Sequence, residues 1–350
     1  MNLLELSRRP APWQRVRGPF SDVVVSSRVR LARNLAGMPF LTKCTERQMQ
    51  DIVELLRATL LTEILSEDAF YVDISSADPL DKDLLVERHL ISRQHADGKG
   101  PRGVVITSDE SVAVMVNEED HLRIQVLAGR FEMRQCYERI CQLDEQLEQR
   151  LTFAFSSRFG YLTACPTNVG TGLRVSVMLH LPALKMSGEL DKALRAARDM
   201  HMAVRGLYGE GTEAVGDMFQ VSNQTTLGKS EEDIIREFGE EIVPKIIEYE
   251  RHARNVLMSK KRLALEDRIF RALAVLRSAR LISSEETMYL LSHLRLGVCL
   301  KIIEDISLDT IDELALLSQP AHLQRYFGRD MAPSERGMAR AELIRKKLAG

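Results

Sequence analysis

The sequence predicts an α/β (α+β) part followed by an all-helical part, and three observations predict it. Short runs rich in β-branched residues recur at 23–31, 70–74, 103–107, 111–116, 175–179 and 219–223. Between them, apolar residues fall at helical spacing at 45–65, and 131–150 reads as a helix rich in Glu, Gln and Arg. Near Gly228 the composition changes, and leucine, isoleucine and arginine dominate from there on, with Gly297 and Pro320 as interruptions. The expected division is an irregular segment at 1–21, a mixed domain at 22–254 and a helical domain at 255–350.

Taken in order, residues 1–21 hold the breakers Pro10, Pro12 and Gly18. The run 23–31 carries Arg28 and Arg30 at equal parity, so in a strand both project from one face. A solvated edge strand is its plain alternative. In the helix at 45–65, Met49, Ile52, Val53, Leu55, Leu56, Leu60 and Leu61 form the apolar pattern. His89 is expected inside an apolar element at 84–91, and residues 94–103, with three glycines and a proline, read as a mobile loop. The strand at 111–116 runs into Asn117-Glu-Glu-Asp-His-Leu-Arg123, where three adjacent carboxylates need water or cations. A strand-like 161–164, a helix at 187–202 and a strand at 201–205 follow, and then a glycine-rich loop at 206–213. Ser230 is an N-cap candidate, and helices are expected at 231–257, 263–280, 284–303, 308–317 and 333–348.

Charge and composition exclude several classes. A net charge of −2 gives no electrostatic case for binding nucleic acid or a membrane surface. No apolar run approaches the ~20 residues of a membrane span. The N-terminus lacks signal-peptide order. Five scattered cysteines without a Cys-x-x-Cys pair argue against a disulfide framework or structural zinc, so the chain reads as reduced and cytoplasmic. Leu227-Gly-Lys-Ser230 ends like a Walker A loop, but Asn223 stands where its first glycine belongs. Gly209-x-Gly211 has Ala214 in place of a third glycine. Protein-kinase and zinc-protease signatures are absent.

The stretch that remains is Cys165-Pro-Thr-Asn-Val-Gly-Thr-Gly-Leu-Arg174, which sets a thiol, two glycines and a guanidinium on a tight turn between strand-like runs. It suggests a phosphate-handling turn beside a reactive cysteine. It also resembles the signature of the guanidino (phosphagen) kinases, which transfer the γ-phosphoryl group of ATP to a guanidinium nitrogen. The resemblance extends through Ser26-Ser-Arg-Val-Arg30, Leu85-Val-Glu-Arg-His89, Asn117 to Arg123 and Gly209-Glu-Gly-Thr-Glu213, in the family's order. It implies a guanidino-kinase/glutamine-synthetase-like antiparallel sheet flanked by helices.

It also implies roles. Glu119 and Glu213 look like the carboxylates that bind the acceptor guanidinium, with Glu119 as base and Cys165 as a third negative contact. Glu118 looks like the residue that meets Mg²⁺ through water, the metal being carried by ATP rather than held by a protein site. ATP binding is implied for Ser26, Ser27, Arg28, Val29, Arg30, His89, Arg123, Arg174, Val175, Ser176, Arg205, Tyr208, Gly209 and Glu210. Arg28, Arg30, Arg123 and Arg174 form the phosphate clamp, and His89 resembles the histidine beside the nucleoside. The chemistry is coherent. Phosphoryl transfer is mainly positioning and electrostatics, arginine forks match phosphate oxygens, and a guanidinium is a poor nucleophile until carboxylates orient it and take its proton.

Departures from the small-molecule members refine the reading. Those carry a helical domain ahead of this point, whereas 25 residues precede Ser26 here, so an open site with a larger acceptor is expected. Tyr208 replaces an expected phosphate-binding arginine, and Gln224-Thr-Thr replaces a basic run. With the helical C-terminal part, this combination resembles the bacterial protein arginine kinases. That resemblance implies protein substrates with exposed arginines, a heat-shock repressor, an activating adaptor, a Clp chaperone-protease and a homodimer. It also implies a phosphoarginine site in which Arg336, Gly337, Arg340 and Ala341 match an Arg-Asp-x-x-Arg-Ala motif, glycine replacing the aspartate. A small-guanidine kinase and a non-catalytic phosphoarginine-binding adaptor are the alternatives.

Overall fold

The computed structural model describes residues 3–11, 18, 20–65, 68–206 and 215–349. In chain order its first elements are α1 (Leu3–Arg8), β1 (Val24–Arg33), α2 (Glu46–Thr59), β2 (Ala69–Asp73), α3 (Pro79–Glu87), α4 (Arg93–Asp97), β3 (Gly103–Thr107), β4 (Val112–Val116), β5 (Leu122–Ala128) and α5 (Met133–Glu148). A two-residue pair, β6 (Phe155–Ser156) and β7 (Gly160–Tyr161), precedes β8 (Leu173–His180). Then come α6 (Pro182–Ser187), α7 (Leu190–Asp199), β9 (Met202–Arg205) and β10 (Met218–Asn223). The rest is helical: α8 (Glu231–Arg236), α9 (Val243–Lys260), α10 (Arg262–Ser278), α11 (Ser284–Cys299), α12 (Leu308–Leu317), α13 (Pro320–Phe327) and α14 (Pro333–Leu348).

Eight strands form an antiparallel sheet in the order β2-β3-β4-β5-β1-β8-β10-β9. Residues of β3 and β4 are buried along their whole length, which is why those runs read as continuously apolar rather than alternating. Two compact units share these strands. One comprises Ser26–Ser176 and Ser222–Glu241, the other Asn2–Val25, Val177–Val221 and Ile242–Gly350. In the second, Leu317, Leu323, Met331, Ala339 and Leu343 build one apolar cluster, with Tyr326 and Phe327 packed against it.

Several boundaries differ from the sequence expectation, each for a local reason. Residues 3–8 are helical, not irregular; α1 buries Leu6 and packs on α13. Residues 94–103 include α4, capped by Ser92, whose side chain accepts from His95 N. The helix expected at 187–202 is the shorter α7, and a separate unexpected helix, α6, precedes it and ends where Gly188 adopts a left-handed conformation at φ 78°. Pro320 starts a helix instead of interrupting one, since a first-turn proline loses no hydrogen bond. Gly297 lies inside α11. A Cβ there would stand 2.6 Å from Ile269 Cγ2, so this glycine admits α10 at close range. Ser230 does cap α8, accepting from Asp233 N.

Candidate active site

The register of β1 against β5 pairs Arg28 with Leu127, Arg30 with Gln125 and Ala32 with Arg123. Partners across an antiparallel ladder share a face, so Arg28, Arg30, Arg123 and Gln125 lie on one side of the sheet. Val29 and Leu31 are buried on the other, and so is Arg33. Arg33 pairs with Asp144 of α5 at 2.6 Å and stacks on Tyr161 with its guanidinium carbon 3.4 Å from the ring centre. One strand therefore supplies both a structural arginine and two candidates for ligand binding.

Arg30 is the centre of the charge. It is 7% exposed, and burial, then Arg28, Arg123 and Arg174, push its pKa well below the usual arginine value while Glu118 opposes them. Its Nε and the Ser27 hydroxyl are buried with no hydrogen-bond partner among the described residues. Arg174, on β8, reaches Ser222 Oγ at 3.3 Å. Four guanidiniums around one carboxylate repel one another unless a further anion joins them, and arginine forks match the oxygens of a polyphosphate.

The flanking motif residues have other duties. Val175 N donates to Asn223 Oδ1 at 2.9 Å, and Ser176 Oγ lies 3.4 Å from Arg28 O, so these two fix the strands behind the cluster. Ser26 is half-buried at the first unit's edge. Arg205 ends β9 in the second unit. Tyr208, Gly209, Glu210 and Glu213 lie outside the described residues. His89 does not lie inside the apolar element expected at 84–91; it follows the end of α3 in a left-handed conformation at φ 59°, because the apolar pattern continues into Leu90 after the helix has stopped. Gln125 Nε2 holds the His89 carbonyl at 2.7 Å, which fixes this turn to the sheet face that carries Arg30.

The three carboxylates after β4 have separate environments. Asn117 turns the chain at φ 61° and donates to Met49 O and Pro101 O, both at 2.9 Å. Glu118 is buried, and it accepts from Ser92 Oγ at 2.5 Å and Arg123 Nη1 at 2.7 Å. Burial pushes its pKa up, but Arg123 and the Ser92 bond outweigh that, so the carboxyl lies below its usual value. Glu119 is half-buried. Asp120 is buried and its pKa is raised, chiefly by burial. Its Oδ1 takes Asn34 Nδ2 at 2.6 Å and Ala164 N at 2.7 Å. Asn34 also donates to Leu162 O at 3.1 Å and accepts His121 N at 2.9 Å. This network draws the Cys165 loop onto the Glu118–Glu119 turn.

The strand expected at 161–164 shrinks to β7, because Leu162 to Ala164 are occupied by these side-chain bonds. Cys165 is half-buried with its Sγ 3.0 Å from Thr167 Oγ1. Gly170 sits at φ 112°, where a Cβ would meet Thr226 O at 2.5 Å. The Thr226 hydroxyl in turn donates to Val169 O at 2.7 Å and lies 2.9 Å from Thr167 O. The segment that departs from the basic run thus latches the cysteine loop in place. Asn34, Ser92, Asp120 and Gln125 are the positioning residues that sequence reasoning missed. Asp120 carried a signal, as a third carboxylate in a row, but its partners lie 44 and 86 residues away.

The C-terminal motif lies on α14, with Arg336 and Arg340 four residues apart. Arg340 is 3% exposed; its Nε donates to Ser318 O at 2.7 Å and its Nη1 to Ile282 O at 3.0 Å. Arg336 Nη1 donates to Met331 O at 2.9 Å. Gly337 and Ala341 are buried, and a Cβ at Gly337 would stand 2.7 Å from Leu281 Cδ1. Among the described residues no group of three or more His, Cys, Asp or Glu side chains could hold a metal ion, and no helix is long and apolar enough to cross a membrane.

Comparison with known proteins agrees with this geometry. The family model described as ATP:guanido phosphotransferase, C-terminal catalytic domain, matches residues 51–253. The chain belongs to that family of phosphotransferases, and within it to the protein-arginine kinases. The second membership rests on the protein-arginine kinase McsB C-terminal domain model, which matches residues 262–350. It rests also on relatives. The chain is 47% identical over 348 residues to a protein-arginine kinase of Symbiobacterium thermophilum, across 98% of both chains. It is 42% identical over 338 residues to that of Bacillus subtilis, across 96% of this chain and 93% of the relative. Among solved structures, lombricine kinase matches with a TM-score of 0.57 at 26% identity over 70% of each chain. The duplicated taurocyamine kinase from Schistosoma mansoni matches with a TM-score of 0.58 at 27% identity, over 71% of this chain and 35% of that one.

Proposed function

We propose that the protein transfers the γ-phosphoryl group of MgATP to arginine side chains of proteins. The observation that carries this is the buried Arg30, surrounded by Arg28, Arg123 and Arg174 and set beside the carboxylate turn that Asp120 ties to the Cys165 loop. In this reading the four arginines clamp the polyphosphate, His89 lies beside the nucleoside, and Mg²⁺ arrives on ATP and meets Glu118 through water. Glu119 and Glu213 orient the acceptor guanidinium, Glu119 takes its proton as the N–P bond forms, and Cys165 adds a third negative contact.

The decisive experiment incubates the protein with MgATP and an arginine-rich protein and seeks acid-labile phosphate on arginine by mass spectrometry. Phosphate confined to free arginine or another small guanidine would favour the lesser acceptor that the lombricine and taurocyamine kinase matches suggest. Glu119→Gln and Glu213→Gln are each expected to lower transfer about a thousandfold with nucleotide binding kept. Wild-type rate in either variant would refute the acceptor assignment.

The wider reading is of a cytoplasmic homodimer with a catalytic domain at 22–254 and a helical domain at 255–350. Its marks inactivate a heat-shock repressor and direct proteins to a Clp chaperone-protease under an activating adaptor. Phosphoarginine binds at Arg336, Gly337, Arg340 and Ala341 on α14 and stimulates activity.

A further inference from the structure

Helix α4 has five residues, too few to persist without help, and its N-cap residue makes two bonds at once. Ser92 Oγ accepts His95 N–H at 3.0 Å, and its own hydrogen goes to Glu118 Oε1 at 2.5 Å. Arg123 Nη1 reaches the same oxygen at 2.7 Å, so Oε1 carries two donors. Oε2 takes the Glu119 N–H at 2.9 Å and keeps a further acceptor direction. The carboxylate is thus held at both oxygens, and it also orients the backbone of the neighbouring carboxylate.

Ser92 is itself held in place. His95 is fully buried, with Nε2 3.0 Å from Gly103 O at the start of β3. A carbonyl only accepts, so Nε2 bears the ring hydrogen. The two donors on Oε1 differ in one respect. Arg123 also belongs to the arginine cluster, so a bound polyphosphate competes with Glu118 for its guanidinium. An uncharged hydroxyl feels no such competition.

We propose that Ser92 is a positioning residue of the phosphotransfer site, holding the Glu118 carboxylate so that its second oxygen stays available to the hydrated metal of the nucleotide. The proposal rests on the reading of Glu118 as the group that meets Mg²⁺ through water.

The test is the affinity for ADP with and without Mg²⁺, measured by calorimetry on the full chain. It needs neither acceptor nor turnover, so it stands apart from the question of arginine transfer. Ser92→Ala removes both bonds. Ser92→Asp keeps the cap, because an aspartate oxygen accepts His95 N–H, but sets a like charge against Glu118. Ser92→Thr keeps both. The gain in ADP affinity from Mg²⁺ is expected to fall about tenfold in Ser92→Ala. It should fall at least as far in Ser92→Asp and survive in Ser92→Thr, with metal-free ADP binding unchanged. If Ser92→Asp matches the wild type, Ser92 is a helix cap and the proposal is wrong. It is equally wrong if Ser92→Ala and Ser92→Asp both keep the full gain. Should Ser92→Ala not fold, the Asp and Thr variants decide alone. A wild-type protein with no Mg²⁺ gain at all overturns the reading of Glu118 and this proposal with it.

Discussion

Arg30 and Arg340 are both buried arginines, at 7% and 3% exposure, and they are buried for opposite reasons. Arg340 is enclosed by acceptors, carbonyls at the end of α12 and before α11, and it ties three chain segments together. Arg88 with Glu110, Arg295 with Asp312 and Arg254 with Glu250 follow the same pattern. Arg30 is enclosed by other arginines, with its Nε unmatched among the described residues. A buried cation among acceptors is scaffold. A buried cation among cations is, in the proposed reading, a cost the fold bears for an anionic ligand. Residue type and burial do not separate the two; the sign of the neighbours does.

Substitution separates the two arginines. Arg30→Met is expected to lower phosphoryl transfer about a thousandfold, yet leave the thermal midpoint unchanged or higher, because like-charge repulsion is relieved. Turnover and calorimetric melting on one preparation test this, and a large loss of stability would put Arg30 with the scaffold. Arg340→Ala should do the reverse, costing about 3 kcal/mol of stability because it strands buried carbonyls. Its transfer rate without phosphoarginine should persist at temperatures where the variant remains folded.

His95 sharpens the contrast with a neutral group. Burial pushes its pKa from 6.5 down to about 4, so the folded chain resists a proton that the unfolded chain accepts. Its contribution is therefore fully present above pH 6.5 and is lost as pH falls towards 4, about 3 kcal/mol in all. Denaturant midpoints for wild type and His95→Gln should converge on acidification across that window. Parallel curves would show that the ring is not held neutral. The smallest effect is expected from packing alone. Gly297→Ala should cost about 2 kcal/mol, because its Cβ would meet Ile269 of α10. Urea unfolding measures that directly, with no change in nucleotide affinity.

These contrasts explain what was legible in the sequence. Parity in 23–31 placed Arg28 and Arg30 on one face, and the structure has them there, because strand alternation depends only on the local chain. The run from Asn117 to Arg123 was visible as an expensive string of charges. Its division of labour was not, because Asp120 is satisfied by Asn34 and Ala164 across long stretches of sequence. Glycine and proline misled in the helical part for a related reason. Gly297 and Pro320 weaken or end an isolated helix, but close approach of a neighbour and a first-turn position reverse the sign. Arg336 and Arg340 do fall on one helix, four apart, as spacing predicts, but their acceptors come from segments that spacing does not report.

Strand β1 shows Arg28 and Arg30 to one side and Arg33 to the other, each with fixed company. Its length is therefore coded as strictly as its composition. Removing one codon between Arg30 and Arg33 would keep every charge and most of the hydropathy. It would nevertheless turn the partner of Asp144 towards the face that carries Arg30 and leave that buried carboxylate without its guanidinium. Deletion scanning should find this short interval among the least tolerant of the chain, even where single substitutions in it are mild.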